Sequence, residues 1–238
     1  SISIPKPLIS IGDKPIIWHI MKYYSAFGIT EFIICLGYKG HKLKEYFFNY
    51  SKYTSDFMVK TKNSDYKILT NNNEDWEVTL IDTGDHTMTG GRVARIKDFV
   101  KEDSFFCTYG DGLSNIDINN LNDAHKKNKT IATISAVRPP GRFGSLKIDN
   151  NQVVSFEEKI EGTNSWINGG FFVFNRGIFD YLTGDKCVLE REPMQNLAKD
   201  NQISSFKHDG FWQPMDTLRD KNLLEKMWMN NEAPWKIW

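Results

Sequence analysis

Apolar positions recur at two spacings along this chain, and the two alternate. After Pro15, Ile16, Ile17, Ile20, Met21, Tyr24 and Phe27 repeat at the helical interval, and Gly28 ends the run as a C-terminal glycine does. Glu31 to Leu36 is a short apolar run closed by Gly37, which predicts a buried strand. His41 to Asn49 predicts a second helix. The polar stretch Asn63 to Asp75, with Asn71, Asn72 and Asn73 in a row, reads as a surface excursion before Val78 to Ile81 resumes the core.

The order then repeats. Helices are predicted over Arg92 to Val100 and Asn119 to Lys127, with strands over Ser104 to Tyr109 and Thr130 to Val137. Ser145 to Ile148 and Val153 to Phe156, joined by Asp149, Asn150 and Asn151, predict a hairpin. Phe171 to Phe174 and Ile203 to Phe206 read as strands, and Glu192 to Lys199 and Thr217 to Met229 as helices. Such alternation predicts a doubly wound, mostly parallel α/β sheet with helices on both faces. In such a sheet the ligand crevice lies outside the carboxyl ends of the strands, so residues just after strands matter most.

The 238 residues suit one large domain over 1–238. Thirty Lys and Arg balance thirty Asp and Glu, so no overall charge favours nucleic acid or an anionic membrane. Any bound anion must be held locally. Cys35, Cys107 and Cys187 are widely spaced and suggest neither a zinc knuckle nor a disulfide framework, which fits a reducing cytoplasm. No apolar run approaches the roughly 18 residues of a membrane span.

Candidate chemistry lies at a few turns. Gly110-Asp111-Gly112 holds one carboxylate at a strand end, where magnesium needs few protein ligands, or where an aspartate simply caps its own turn. Asp216, in Phe211-Trp212-Gln213-Pro214-Met215-Asp216-Thr217, is either the N-cap of the last helix or the second carboxylate of such a site. The loop Asp82 to Arg92 combines glycines, helix-start amides and a forked cation suited to phosphate, though most glycine loops are only tight turns. Lys159 ends an alternating strand, Asn168-Gly169-Gly170 offers an amide beside two glycines, and Pro5-Lys6-Pro7 holds a lysine between rigid residues. The five histidines show no metal-ligand spacing, and no G-x-S-x-G elbow is present. Trp228, Trp235 and Trp238 read as packing or subunit-contact residues.

In order and spacing, Pro5-Lys6-Pro7-Leu8, Gly12 to Ile20, Asp82-Thr83-Gly84, Met88-Thr89-Gly90-Gly91-Arg92, Tyr109-Gly110-Asp111-Gly112, Pro139-Pro140-Gly141-Arg142-Phe143-Gly144, Ile167-Asn168-Gly169-Gly170-Phe171-Phe172 and Gly210 to Lys221 resemble the glucose-1-phosphate cytidylyltransferase family of the sugar-1-phosphate nucleotidylyltransferase superfamily. The resemblance spans essentially the whole chain. It implies a Rossmann-like fold with a small β-hairpin appendage for the sugar, a nucleotide-binding half over 1–137 and a sugar-phosphate half over 138–238. The implied reaction joins CTP and α-D-glucose 1-phosphate into CDP-glucose and pyrophosphate. Asp111 and Asp216 would hold Mg2+, and Lys6 and Arg92 would meet the triphosphate. Thr87, Gly91 and Gly110 would line the nucleotide pocket. Lys159, with Gly144 and Glu158, would hold the sugar phosphate, and Asn168 and Gly169 would face the sugar. A cytoplasmic homo-oligomer engaging neither nucleic acid nor membrane is expected.

Two departures qualify the likeness. Glu158-Lys159-Ile160 stands where the family has Glu-Lys-Pro. The family also begins with a strand and a glycine-rich loop ending Gly-Thr-Arg, so the polypeptide is expected to begin upstream of Ser1. UTP or dTTP, or another sugar 1-phosphate, stays open, because base choice rests on a few hydrogen bonds in the Asp82 to Arg92 loop. A non-catalytic nucleotide-sugar-binding module is a remoter alternative, against which the presence of Asp111, Asp216 and Lys159 argues.

Overall fold

The computed structural model describes residues 4–138, 145–149, 152–157 and 166–238, the two middle stretches as backbone alone. A 3-10 turn over Lys6–Leu8 leads into a minimal hairpin of β1 (Ser10–Ile11) and β2 (Lys14–Pro15). Gly12 turns it with φ at +63°, and a Cβ there would lie 2.2 Å from the Trp228 indole nitrogen, so no other residue fits. In α1 (Ile16–Ser25), Trp18, His19 and Tyr23 are buried along with the apolar stripe, so the helix is enclosed nearly all round.

The chain continues through β3 (Glu31–Leu36), α2 (Gly40–Phe48) and α3 (Tyr50–Thr54). Two short strands follow, β4 (Phe57–Lys60) and β5 (Asp65–Ile68), before β6 (Glu77–Asp82). The excursion expected over Asn63 to Asp75 is thus partly an exposed hairpin. Next, α4 (Thr89–Arg95) begins and ends earlier than the apolar spacing predicts. Gly90 and Gly91 form its first turn and carry no side chain to mark a period.

Then come β7 (Ser104–Thr108), β8 (Gly112–Ser114), α5 (Ile118–Asn128) and β9 (Ala132–Val137). The expected hairpin is present as β10 (Ser145–Asp149) and β11 (Gln152–Glu157), paired antiparallel. Next is β12 (Ile167–Asn175), and after a 3-10 turn come α6 (Glu192–Lys199), β13 (Ile203–His208), β14 (Trp212–Pro214) and α7 (Leu218–Met229).

β13, β9, β12 and β7 form one sheet in that order, with β13 and β9 parallel and β12 antiparallel to both neighbours. β3 and β6 pair in parallel from Glu31↔Glu77 to Leu36↔Asp82. The alternation along β12 explains the layering. Phe171 and Val173 enter one core with Ile16 and Ile20 of α1 and Leu224 of α7. Phe172 and Phe174 enter the other with Leu197 of α6, and Ile33, Cys35 and Ile81 of the parallel pair pack against that same cluster. Helices therefore cover both faces, and the architecture is the expected Rossmann-like α/β class.

Candidate active site

The turn after β7 and the turn after β14 are brought together by a short antiparallel ladder. Gly112 pairs with Pro214, and the Met215 amide donates to the Asp111 carbonyl at 2.7 Å. Asp111 and Asp216 thereby share one cation. The Lys6 ammonium lies 3.3 Å from Asp111 Oδ2 and 3.0 Å from Asp216 Oδ1. Its pKa is raised above the ordinary lysine value, first by the hydrogen bond to Asp216 and further by Asp111, with partial burial opposing. Three residues from distant parts of the sequence converge as a carboxylate pair around a positive charge, the donor set that suits a divalent cation with few protein ligands.

Asp216 does not cap α7. The cap is Thr217, whose hydroxyl accepts from the Asp220 amide, while Asp220 accepts in return from the Thr217 amide, a full capping box. The Asp216 amide also donates to Asp220, at 3.2 Å. Its carboxylate is left for Lys6 and for solvent.

Beside this pair, the Asn168-Gly169-Gly170 segment breaks the register of β12 against β9. Asn168 Oδ1 accepts from the Gly170 amide at 2.7 Å, and Asn168 Nδ2 donates to the Tyr109 hydroxyl at 3.2 Å. Gly170 has φ at +75°, and a Cβ there would sit 2.4 Å from the Tyr109 ring. The Gly169 carbonyl accepts from the Trp212 indole at 2.7 Å. Tyr109 in turn donates to Glu190 Oε1, and Thr89 donates to Glu190 Oε2 at 2.7 Å. Burial first, then the bond to Glu190, pushes the Tyr109 phenol well above its ordinary range, so it stays a donor. Nothing in the sequence patterning singles out the Tyr109 side chain, and little marks Glu190. An acidic residue just ahead of the Pro193 helix start was the available signal.

The Asp82 to Arg92 loop is braced from within. Arg92 donates to the Leu36 carbonyl at 3.0 Å and to the Thr83 hydroxyl at 2.8 Å, so its guanidinium lies across the carboxyl ends of β3 and β6 and, among the described residues, makes no hydrogen bond to the Lys6 cluster. A Cβ on Gly37 would lie 2.3 Å from it. Gly91 donates to the Cys187 carbonyl at 3.2 Å, and a Cβ there would meet the backbone of Gly184 and Asp185 at 2.8 Å. Its close approach is therefore to the protein's own 184–187 segment. Thr87 is buried, and Gly110 leaves room for the Pro7 ring. Gly144, Glu158 and Lys159 lie outside the described residues.

The histidines take packing roles where they are buried. His19 accepts at Nδ1 from the Trp235 indole at 3.3 Å, which leaves Nε2–H to donate to the Ile11 carbonyl at 2.9 Å. Trp228, Trp235 and Trp238 all lie against its ring. His125 bonds to Thr133 and Asn175 beneath α5. No helix among the described residues is long and apolar enough to cross a membrane.

Residues 1–213 match the Nucleotidyl transferase family. The chain is 50% identical over 98% of its length to glucose-1-phosphate cytidylyltransferase of Salmonella typhi, covering 91% of that protein. It is 42% identical over 99% of its length to the probable glucose-1-phosphate cytidylyltransferase of Bacillus subtilis, covering 92% of that protein. Among solved structures, HddC from Yersinia pseudotuberculosis superposes with a TM-score of 0.69 at 21% identity, over 96% of this chain and 92% of the other, a likeness of fold. The carboxylate pair around Lys6 thus stands in a chain that belongs to the nucleotidyl transferase family, and within it to the glucose-1-phosphate cytidylyltransferases.

Proposed function

We propose that this chain works in the cytoplasm, as a homo-oligomer, to transfer CMP from CTP to α-D-glucose 1-phosphate, giving CDP-glucose and pyrophosphate for nucleotide-sugar biosynthesis. The observation that carries the reading is 50% identity along 98% of the chain to an enzyme of that name, in a structure whose two strand-end carboxylates meet at one cation.

A phosphate oxygen of the sugar phosphate attacks the α-phosphorus in line, a new P–O bond forms, and the bond to the β-phosphate oxygen breaks. The nucleophile is anionic at neutral pH, so the protein's work is positioning and charge neutralisation. Asp111 and Asp216 are assigned to hold magnesium, which when bound neutralises phosphate oxygens and the leaving pyrophosphate. Lys6 moves from the carboxylates toward the triphosphate as these charges rearrange. Arg92 is assigned to the nucleotide side through the loop it braces, with Thr87, Gly91 and Gly110 shaping the pocket of the 1–137 half. In the 138–238 half, Lys159 takes the sugar phosphate with Gly144 and Glu158. Asn168 and Gly169 face the sugar, held in place by Tyr109 and Trp212.

The test is pyrophosphate release with glucose 1-phosphate and each of CTP, UTP, dTTP and GTP, with the nucleotide sugar identified by mass. CTP should give the highest kcat/KM. A preference for UTP or dTTP would remove the cytidylyl reading, and no release with any nucleotide would remove the enzyme.

A further inference from the structure

We propose that Glu190 is a positioning residue for the sugar: through Tyr109 it fixes the direction of a hydrogen-bond chain that holds the Asn168 amide with one N–H turned to a sugar hydroxyl. The inference rests on the reading of Asn168 as a sugar contact and adds the group that orients it.

The direction of the chain follows from its ends, because a backbone amide can only donate. The Asn168 atom 2.7 Å from the Gly170 nitrogen is therefore the carbonyl oxygen Oδ1. That turns Nδ2 to the Tyr109 hydroxyl, 3.2 Å away. A phenol has one proton, and with its lone pair facing Asn168 the proton goes to Glu190 Oε1. A second chain is fixed in the same way. The Leu189 amide donates to the Thr89 hydroxyl at 2.9 Å, and Thr89 passes its own proton to Glu190 Oε2 at 2.7 Å. Both chains end on Glu190, one proton to each oxygen. A carboxylate meets that demand, whereas a glutamine would set an N–H against one of the two hydroxyls.

The consequence appears at Asn168. One of its two Nδ2 hydrogens is spent on Tyr109, and the other has no partner among the described residues, which leaves it for a ligand oxygen. The Tyr109 ring cannot swing away. It meets the Phe172 ring edge-on at 5.9 Å, and it fills the space that a Cβ on Gly170 would need. Without Glu190 the ring stays, but its hydroxyl is free to turn its proton toward Asn168 and the amide is free to flip. The loss is felt as a reversed proton, not as a displaced atom. Among the described residues Glu190 is held by hydroxyls and by no cation, so the site's positive charges are left to the phosphates.

Steady-state kinetics of the full-length protein with CTP and glucose 1-phosphate test this. Glu190→Ala and Tyr109→Phe should each raise the KM for glucose 1-phosphate about three- to tenfold, the worth of one hydrogen bond, with the KM for CTP held within about twofold. The double variant should be no worse than the worse single one, because both changes break the same chain. Among glucose 1-phosphates that each lack one hydroxyl, wild type should reject one most strongly, and that discrimination should shrink in Glu190→Ala. A general loosening of the fold would leave it unchanged. Tyr109→Phe keeps the packed ring and carries the test if Glu190→Ala fails to fold by circular dichroism. An active wild type with an unchanged sugar phosphate KM in both variants, or an equal rise for CTP, would overturn this inference and leave the cytidylyl reading standing. A wild type that releases no pyrophosphate would overturn that reading, and this inference with it.

Discussion

Asp111 and Asp216 differ in what else they hold. Asp111 offers its carbonyl to the Met215 amide, a backbone bond that Asp111→Asn leaves untouched. Turnover of that variant should fall by about 10²–10³-fold or more, because preorganised charge at the phosphates is lost, while its thermal unfolding stays close to wild type. Asp216→Asn should behave alike. The sequence allowed Asp216 as the helix cap, which would have made its loss a stability defect, but Thr217 holds that position. A drop in melting temperature for Asp216→Asn beyond that of Asp111→Asn would argue against this division of labour. Asp111 was legible as a candidate from its glycine turn at a strand end, and Asp216 from its place at the start of the last helix. The partners of Arg92 were not, since the Leu36 carbonyl lies 56 residues away and no side-chain pattern announces a backbone acceptor. Glu190 was harder to read, since an acidic residue ahead of the Pro193 helix start was its one mark and its hydroxyl donors Tyr109 and Thr89 lie 81 and 101 residues away.

The corner between β14 and α7 depends on Asp220 more than on any residue it presents to substrate. The buried Asp220 carboxylate accepts from the Asp216 and Thr217 amides, the Thr217 hydroxyl and the Gln213 amide. Thr217→Ala should cost about 1 kcal/mol, the usual value of a lost cap. Asp220→Ala, which strands several buried donors, should cost about 2–4 kcal/mol by urea unfolding and should lower kcat as well, since the turn carrying Asp216 loses its anchor. Equal small losses in both variants would mean the box does not position the site. The long apolar runs were readable as elements because burial of one face imposes a period. The short ladders β1–β2, β4–β5 and β8–β14 were not, being too brief to show a period. The last of these is what brings the two aspartates together.

Across the whole molecule, strand direction was the feature least available from sequence, because alternation along β12 is the same whether it runs parallel or antiparallel to its neighbours. The two cores were foreshadowed by the alternating elements, and they bury titratable groups with consequences for stability. Burial holds the His19 pKa below its ordinary 6.5, and His208 is lowered by the same cause. As pH falls below 6.5 the unfolded chain takes up protons that the folded chain refuses, so stability declines with acidification, by at most about 1.4 kcal/mol per pH unit for each histidine. A protonated His19 would also turn an N–H toward the Trp235 indole, another donor. The urea midpoint should therefore drop between pH 7.5 and 5.5. In His19→Gln the drop should be smaller, and an identical drop would assign the effect elsewhere.

The ammonium between Asp111 and Asp216 makes the resting site a closed circuit. One positive charge already serves two negative ones, so a bare divalent ion has to displace an incumbent whose alternative is water. An incoming triphosphate supplies another destination. Metal and nucleotide should consequently help each other bind, through a relay whose moving part is a single side chain. Lys6→Met removes the incumbent. Titration with Mn2+, followed by electron paramagnetic resonance without nucleotide, should show tighter metal binding in Lys6→Met than in wild type, even as the variant loses turnover. Weaker or unchanged binding would mean that Lys6 supports the carboxylates and does not compete for them.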